Sequence, residues 1–513
     1  MGKSEKVMKE LELYFNQIDK NGFDETWCNL LASVLERRNQ FPPYFCTEGN
    51  FGELYELGLE HINKLEKKEL GKYYTPEDVS SVLSNWLLAL EGDNVADVCC
   101  GCGNLIISYL NLIGKEKAEK LLDEKKIYLY ELDPLALMIC KYRIAIIYGE
   151  KYLDNLRCFA GDFLNKKITL PVNCKVIANP PYFKIKEIDD NWESTKVIRK
   201  TKEFYCAFIE KIVSNSVSSV LLTPHSFISG TKFYPLRQVL TNYGGFIVSF
   251  DNVPGCIFNG RKKGVFNSNT SNAVRASIMV TNKSTCGYRV SPLIRFKSFQ
   301  RDLILSNTIL NEMVGSTYQK IDENNKRFAK CFKDLEPLFN KWNKLSSFTL
   351  KDYFSKEQNE FKIDFPNTCR YFTVASSNNL ERKGKHIIYA RDEQSFYYIY
   401  AFLNSSFCYW YWRMYDGGIN FSQQLLSEIP VFFDKITEEK SEKVMIIAKE
   451  MMENEKKYIK VKKNAGTMQH NIKFPKKYRD NLNKVFLSIL GEDNVSCFDE
   501  VHSNKIEISG GLK

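Results

Sequence analysis

Between residues 95 and 283, short apolar runs alternate with longer stretches whose apolar residues recur every three or four positions. Val95-Ala96-Asp97-Val98-Cys99-Cys100, Ile127-Tyr128-Leu129-Tyr130-Glu131, Leu156-Arg157-Cys158-Phe159-Ala160, Lys175-Val176-Ile177-Ala178, Ser219-Val220-Leu221-Leu222-Thr223-Pro224 and Gly245-Phe246-Ile247-Val248-Ser249-Phe250 are short enough, and apolar enough, to read as buried strands. Glu77 to Leu90, with Val79, Val82, Leu83, Trp86 and Leu87 on one face, reads as a helix, as do Leu135 to Tyr148 and Thr201 to Val217. Ala273 to Thr281 reads as a closing strand. Alternation of this kind predicts an α/β fold, an open sheet with helices on both faces. Ligands of such sheets bind outside the carboxyl ends of the strands. The residues at strand ends are therefore the candidates for chemistry.

Flanking segments have a different pattern. Residues 1–70 repeat at three-to-four spacing (Leu11, Leu13, Tyr14, Phe15; Leu54, Leu57, Leu59, Ile62) and read as a helical segment. From 290 to 513 the character changes. Tyr371-Phe372-Thr373-Val374 and Lys385-His386-Ile387-Ile388-Tyr389 read as strands, Ser395 to Met414 is dense in aromatic residues that suit a core, and residues 436 to 490 are helix-like and lysine-rich.

Taken in order, the strand ends carry polar residues and tight turns. Asp97 and Cys99 lead into Gly101-Cys102-Gly103-Asn104, where glycines permit a tight turn and a close approach of backbone to ligand. Leu105 and Ile106 follow where a third glycine would complete a dinucleotide fingerprint. Glu131 ends the second strand, where an acid of a nucleotide-binding α/β fold accepts from ribose hydroxyls. Asp133-Pro134 caps the next helix. Gly161-Asp162-Phe163-Leu164 closes the third strand, and Asn179-Pro180-Pro181-Tyr182 follows the fourth. Two prolines stiffen that loop, the asparagine offers an amide oxygen and the tyrosine a flat face. Such a set suits a planar group with an exocyclic amine. Upstream, Thr75 suits a helix cap and Pro76 a first helical turn.

Together these segments, over roughly residues 71 to 283, resemble the gamma-class S-adenosylmethionine-dependent adenine-N6 DNA methyltransferases of restriction-modification systems. The resemblance implies a Rossmann-like methyltransferase sheet over 71–289, preceded by the helical segment 1–70 and followed by a mixed target-recognition and DNA-binding region over 290–513. It implies S-adenosyl-L-methionine as cofactor, bound by Tyr74, Thr75, Pro76, Asp97, Cys99, Gly101, Gly103, Glu131, Asp162 and Phe163. Asn179, Pro180, Pro181 and Tyr182 would hold a flipped-out adenine, with Phe258 on its other face. Double-stranded DNA is the implied partner, and a cognate restriction endonuclease encoded separately a second one. His225-Ser226-Phe227-Ile228 and Tyr234-Pro235-Leu236-Arg237 resemble further stretches of the same family. His225 at a strand end invites the role of base, but this chemistry needs no strong base, and a loop histidine is the expectation. Arg261-Lys262-Lys263 is the expected phosphate-touching loop.

Composition narrows this reading without changing it. With 513 residues, 44% hydrophobic and 26% charged, the chain is long enough for more than one domain. No apolar run approaches the ~18 residues of a membrane span, and the charged start is no secretory signal. Fifteen dispersed cysteines suggest reduced thiols and a cytoplasmic protein. Cys99, Cys100 and Cys102 cluster, yet no second Cys/His pair follows at zinc spacing, so no metal is expected. A net charge of +10 fits a polyanionic partner. Methyltransferases of RNA amines or of protein glutamine share the tetrapeptide but usually lack a long C-terminal region. A non-catalytic DNA-binding relic is the rival of another class, and cofactor titration separates it.

Overall fold

A computed structural model describes residues 3–38, 40–62, 75–193, 196–252, 255–258, 274–319, 327–369, 372–416, 418, 420–464 and 467–502. Tyr74, Arg261-Lys262-Lys263 and Tyr371 lie outside the described residues. The chain forms two compact units. One comprises Met1–Val290, Ile294–Val314 and Tyr318–Arg327, the other Ser291–Leu293, Gly315–Thr317 and Phe328–Lys513.

An eight-stranded sheet organises the first unit: β1 (Asn94–Asp97), β2 (Ile127–Glu131), β3 (Arg157–Ala160), β4 (Cys174–Ala178), β5 (Ser218–Pro224), β6 (Gly244–Phe250), β7 (Ala276–Asn282) and β8 (Gly287–Ile294), in the order β3-β2-β1-β4-β5-β7-β6-β8. Strands β3, β2, β1, β4 and β5 are mutually parallel, and β7 runs antiparallel to both β5 and β6. Helices connect β1 to β2, β2 to β3 and β4 to β5, whereas β3 reaches β4 through residues 161–173 without a helix. Every residue of β4 and β5 is buried, which is why these strands are apolar runs and not alternating ones. The α/β reading of the sequence therefore holds, with an antiparallel edge added.

Helices Lys3–Asn21, Phe23–Leu35 and Phe51–Ile62 pack their apolar stripe around Trp27, Tyr14 and Phe51, and join Leu135, Ala136 and Ile139 of helix Pro134–Tyr148 in one cluster. They thereby support the helix that starts beside Glu131.

The second unit is built around an aromatic core. Helices Glu393–Asn404 and Ser406–Tyr415 bury Tyr400, Phe402, Phe407, Trp410 and Trp412 against Trp342, Phe432 and Phe486. The aromatic run is core, as expected. Two expectations fail. Phe372 to Val374 form no strand, and the neighbouring backbone of Ala375 is paired by the Asn404 amide. Residues 436 to 490 are not continuous helix, because helix Glu438–Tyr458 and helix Lys476–Ile489 are separated by an antiparallel hairpin, Ile459–Asn464 with Thr467–Ile472.

Candidate active site

Parallel pairing puts the carboxyl ends of β1 to β4 at one edge of the sheet. Asp97 is in register with Leu129 of β2 and Ile177 of β4, two residues before Asn179, and Glu131 with Ala160 of β3. Strand order reverses between β1 and β4, which makes a crevice at that edge.

Beyond β1 the chain turns through Gly101 (φ 49°) and Gly103 (φ 90°) into helix Asn104–Ile113. A Cβ on Gly103 would stand 2.6 Å from the Cys140 sulfur, so both conformation and space demand glycine there. Asp97 is fully buried. One carboxylate oxygen lies 3.5 Å from the Cys99 amide, the Ile106 amide also faces the carboxyl, and the second oxygen makes no hydrogen bond within normal range. Burial, with the Glu131 charge adding to it, pushes the Asp97 carboxyl up to about 8. Burial and the same two carboxylates push the Cys99 thiol up as well, so it is no thiolate nucleophile.

The other acceptors are occupied by the chain's own donors. Glu131 accepts from the Gly101 amide at 2.9 Å and the Asp133 amide at 3.1 Å. Asp133 caps helix Pro134–Tyr148 through the Leu135 and Ala136 amides and accepts from the Tyr55 hydroxyl. Asp162 accepts from the Leu164 amide at 2.9 Å and from the Trp192 indole at 2.6 Å. Phe163 is packed inward, its ring 5.3 Å from Tyr130 and 5.6 Å from Phe208.

Asn179 follows β4 and is half-buried beside the buried Pro180 and half-buried Pro181. Its amide nitrogen donates to the Thr75 hydroxyl at 2.9 Å. The Tyr182 hydroxyl stands 2.5 Å from the Asn179 side-chain oxygen and 2.9 Å from the Leu222 carbonyl, and its single proton serves one of them at a time. The Thr75 carbonyl accepts from Asn104 at 3.2 Å, whose own side-chain oxygen accepts from Arg143 at 2.7 Å. A continuous set of hydrogen bonds thus runs from Arg143 through Asn104 and Thr75 to Asn179 and Tyr182. Thr75 does not cap a helix as expected. Pro76 occupies the cap of helix Glu77–Leu88 with no side-chain bond, and the Thr75 hydroxyl is turned to Asn179 instead.

The Phe258 ring meets Tyr182 edge to face, with centroids 5.8 Å apart and planes at 69°. A residue that sequence reasoning passed over holds this segment. Arg301, buried, makes a bidentate bond to Asp78 (2.6 and 3.0 Å) and donates to the carbonyls of Cys256 and Ile257, both at 2.7 Å. It ties the turn before Phe258 to the helix after Pro76. No motif surrounds Arg301, and its partner Asp78 is far away in sequence. Trp192 was equally silent, being one tryptophan in a polar loop. His225 is buried and pairs with Ser249 at 3.2 Å, as a loop histidine does. Among the described residues no group of three or more His, Cys, Asp or Glu could hold a metal, and no helix is long and apolar enough to cross a membrane.

Residues 47–259 match the N-6 DNA Methylase family. The resemblance to N-6 DNA methylases holds on this stretch, within which every expected site residue lies. The methylase subunit of the type I restriction enzyme MjaIX of Methanocaldococcus jannaschii is 26% identical over 147 residues, 29% of this chain and 24% of that protein. That of the type I restriction enzyme MpnII of Mycoplasma pneumoniae is 27% identical over 143 residues, 26% of this chain and 25% of that protein. The match thus spans about a quarter of these relatives. Among solved structures, a modification subunit of a type I restriction enzyme from Vibrio vulnificus is 17% identical, covering 60% of this chain and 70% of that one at a TM-score of 0.40. The DrdV–DNA complex is 13% identical, covering 81% and 60%, at a TM-score of 0.46.

Proposed function

We propose that the chain is a site-specific DNA adenine-N6 methyltransferase of the gamma class that uses S-adenosyl-L-methionine, the modification enzyme of a restriction-modification system. The observation that carries this reading is the meeting of Asp97, Glu131, Asp162 and Asn179 at one sheet edge. The donor set fits the cofactor. The unpartnered, buried oxygen of Asp97 wants a cation, and the methionine end of the cofactor carries an ammonium beside its sulfonium. Glu131 would accept from the ribose hydroxyls and Asp162, releasing Trp192, from the adenine amine, over a floor that includes Phe163. Gly101, Gly103 and the backbone at Cys99 would line the pocket, with Thr75-Pro76 and Tyr74 at the methionine end.

When bound, the cofactor supplies a methyl group on an already activated leaving group. The remaining work belongs to this chain's residues. The target amine is a weak nucleophile because its lone pair is delocalised into the ring. The Asn179 oxygen and the Pro180 carbonyl each accept one of its N–H bonds, which favours a pyramidal nitrogen with its lone pair aimed along the line of transfer. The Asn179 oxygen has two lone pairs, so it can meet the amine beside the Tyr182 hydroxyl, or alone when that hydroxyl turns its proton to Leu222. In a duplex the amine is out of reach, so the base leaves the stack, and the Tyr182 face replaces part of what it loses. Phe258 stands edge-on to Tyr182, so one ring swings aside to admit the base. DNA selection falls to the region after residue 290, and a separately encoded endonuclease would cut the unmodified site.

The test is product analysis. Purified protein, labelled cofactor and duplex DNA should yield N6-methyladenine. Label found only in cytosine, RNA or protein refutes the assignment, and absence of cofactor binding favours the relic.

A further inference from the structure

We infer that the hairpin Ile459–Ile472 is a DNA-reading ribbon that enters the major groove. The inference rests on the reading of DNA as substrate and assigns the contact to one element of the second unit. Residues 456 to 477 contain eight lysines and no aspartate or glutamate. Of these lysines only Lys476 lies within ion-pair distance of acids, Asp480 and Asp499, among the described residues. Of the others, Lys460, Lys462 and Lys463 stand exposed on a two-stranded antiparallel ribbon, and Lys456, Lys457, Lys473 and Lys477 flank it.

The register sorts the side chains. Lys460 pairs with Asn471 and Lys462 with Gln469, so these four share one face. Ile459 pairs with Ile472 on the other face, and there the ribbon is rooted, with Ile472 fully buried in a cluster with Val374 and Leu380. Two bonds hold its second strand to the body of the unit: the His470 amide donates to the Glu381 carbonyl at 2.8 Å, and the Lys383 amide to the Gln469 side-chain oxygen at 3.0 Å. Ile472 anchors one face, and the other presents Lys460, Lys462 and Asn471, with Gln469 among them tied to Lys383.

That composition selects the occupant. A purely electrostatic surface needs only cations. An amide beside them adds paired donor and acceptor groups, which match the adenine edge, while lysine matches the guanine acceptors. A two-stranded ribbon has the width that the major groove of B-form DNA admits, and only there does each base pair show amides and lysines a distinct pattern. Because Gln469 already uses its oxygen on Lys383, Asn471 is the residue with a whole amide to offer.

The test uses the full chain and two variants of the ribbon, the first including Lys463, which is exposed on the opposite face. K460Q/K462Q/K463Q should keep the melting temperature and the S-adenosylmethionine affinity. Its binding to a fluorescent 30-base-pair duplex should weaken about 10- to 100-fold at 0.1 M salt, and the slope of log K against log salt should fall by about 2 to 3, near 0.9 per lost phosphate contact. N471A should keep that slope and relax preference for the methylated site over single-base variants about 5- to 150-fold. A triple variant with unchanged affinity and slope overturns the ribbon, as does loss of binding to polyglutamate but not to DNA. Unchanged site preference in N471A overturns base reading. A wild-type chain that binds duplex through these lysines but forms no methyladenine sinks the methyltransferase reading alone. Methylation that survives the triple variant with DNA affinity intact sinks the ribbon alone.

Discussion

Asp97→Asn should make the cofactor-free protein more stable and the cofactor bind more weakly. The carboxyl is fully buried, one oxygen is unpartnered, and burial moves it from its ordinary value of 3.8 up to about 8. The sign follows directly. Because the folded value is raised, the folded protein holds a proton that the unfolded chain releases at neutral pH, and stability is lost as pH rises from about 3.8 to about 8, then levels off. At pH 7 that difference amounts to about 4 kcal/mol, at 1.36 kcal/mol per pH unit. Asparagine has nearly the same shape and no charge. Its buried amide has a desolvation cost of its own, so the net gain should be on the order of 1–3 kcal/mol.

Cofactor binding should respond the opposite way. A cation placed against Asp97 favours the carboxylate, so in the wild type binding should release a proton and tighten with rising pH up to about 8. In Asp97→Asn that dependence should disappear, with affinity about 10- to 100-fold lower at pH 8, the loss of a hydrogen bond to a charged group. Urea unfolding without cofactor gives the stability arm. Calorimetry in two buffers of different ionisation enthalpy gives the proton arm. A variant less stable than wild type, or one that keeps the same pH dependence of binding, refutes the assignment of Asp97 to the cofactor's cationic end.

Three further outcomes can be checked with the same protein. Thr75→Val should lower kcat about 5- to 30-fold, because Asn179 loses the 2.9 Å partner that orients its amide, and Thr75→Ser should restore it. Tyr182→Phe should stay within a few-fold of wild type in methylation rate, since the stacking face remains, whereas Tyr182→Ala should lose roughly 1–3 kcal/mol of stacking, read as altered fluorescence of a 2-aminopurine target at unchanged cofactor affinity. Arg301→Gln should cost roughly 3 kcal/mol or more in urea unfolding, because the buried bond to Asp78 and two carbonyl contacts go together.

The sheet and its polar edge were legible in the sequence for a physical reason. A parallel strand buried on both faces is an unbroken apolar run, so the first polar residues after it mark the edge. Asn179 after the wholly buried β4 was found that way, and Asp97 and Glu131 end largely buried strands, whereas β3 before Asp162 is an exposed edge strand and Asp162 rested on the resemblance. Contacts made across the fold were not legible. Thr75 has the side chain of a helix cap, and only the tertiary structure turns its hydroxyl to Asn179. Arg301 acts on Asp78 and on the turn before Phe258 from a segment whose pattern had already changed. The ribbon was read as helix because lysine is a good helix former and tertiary context overrides propensity. The alternation Ile459, Val461 against Lys460, Lys462 was the signal for a strand, but a single extra lysine at 463 blurs its period. Phe372 to Val374 look like strand by β propensity, yet the backbone beside them is satisfied by the Asn404 side chain instead of a neighbouring strand.

How the acceptors are satisfied also bears on where binding energy comes from. Glu131, Asp162 and Asn179 each have a donor already: the Gly101 amide, the Trp192 indole, the Tyr182 hydroxyl. A ligand that approaches such an acceptor shares it with the donor already there or displaces that donor, so its net gain is small. Asp97 is different, because its second oxygen has nothing to give up. Affinity for the cofactor should therefore be concentrated at Asp97, while the exchanged bonds decide which ligand fits. At Asn179 the exchange has a further consequence. The Leu222 carbonyl gives the Tyr182 proton an alternative acceptor at 2.9 Å, so the hydroxyl can release the amide oxygen without losing its hydrogen bond. On the proposed mechanism, the oxygen that would meet the target amine is thus oriented by Thr75 and can be vacated at little cost, as a site acting on a transiently extruded base would require.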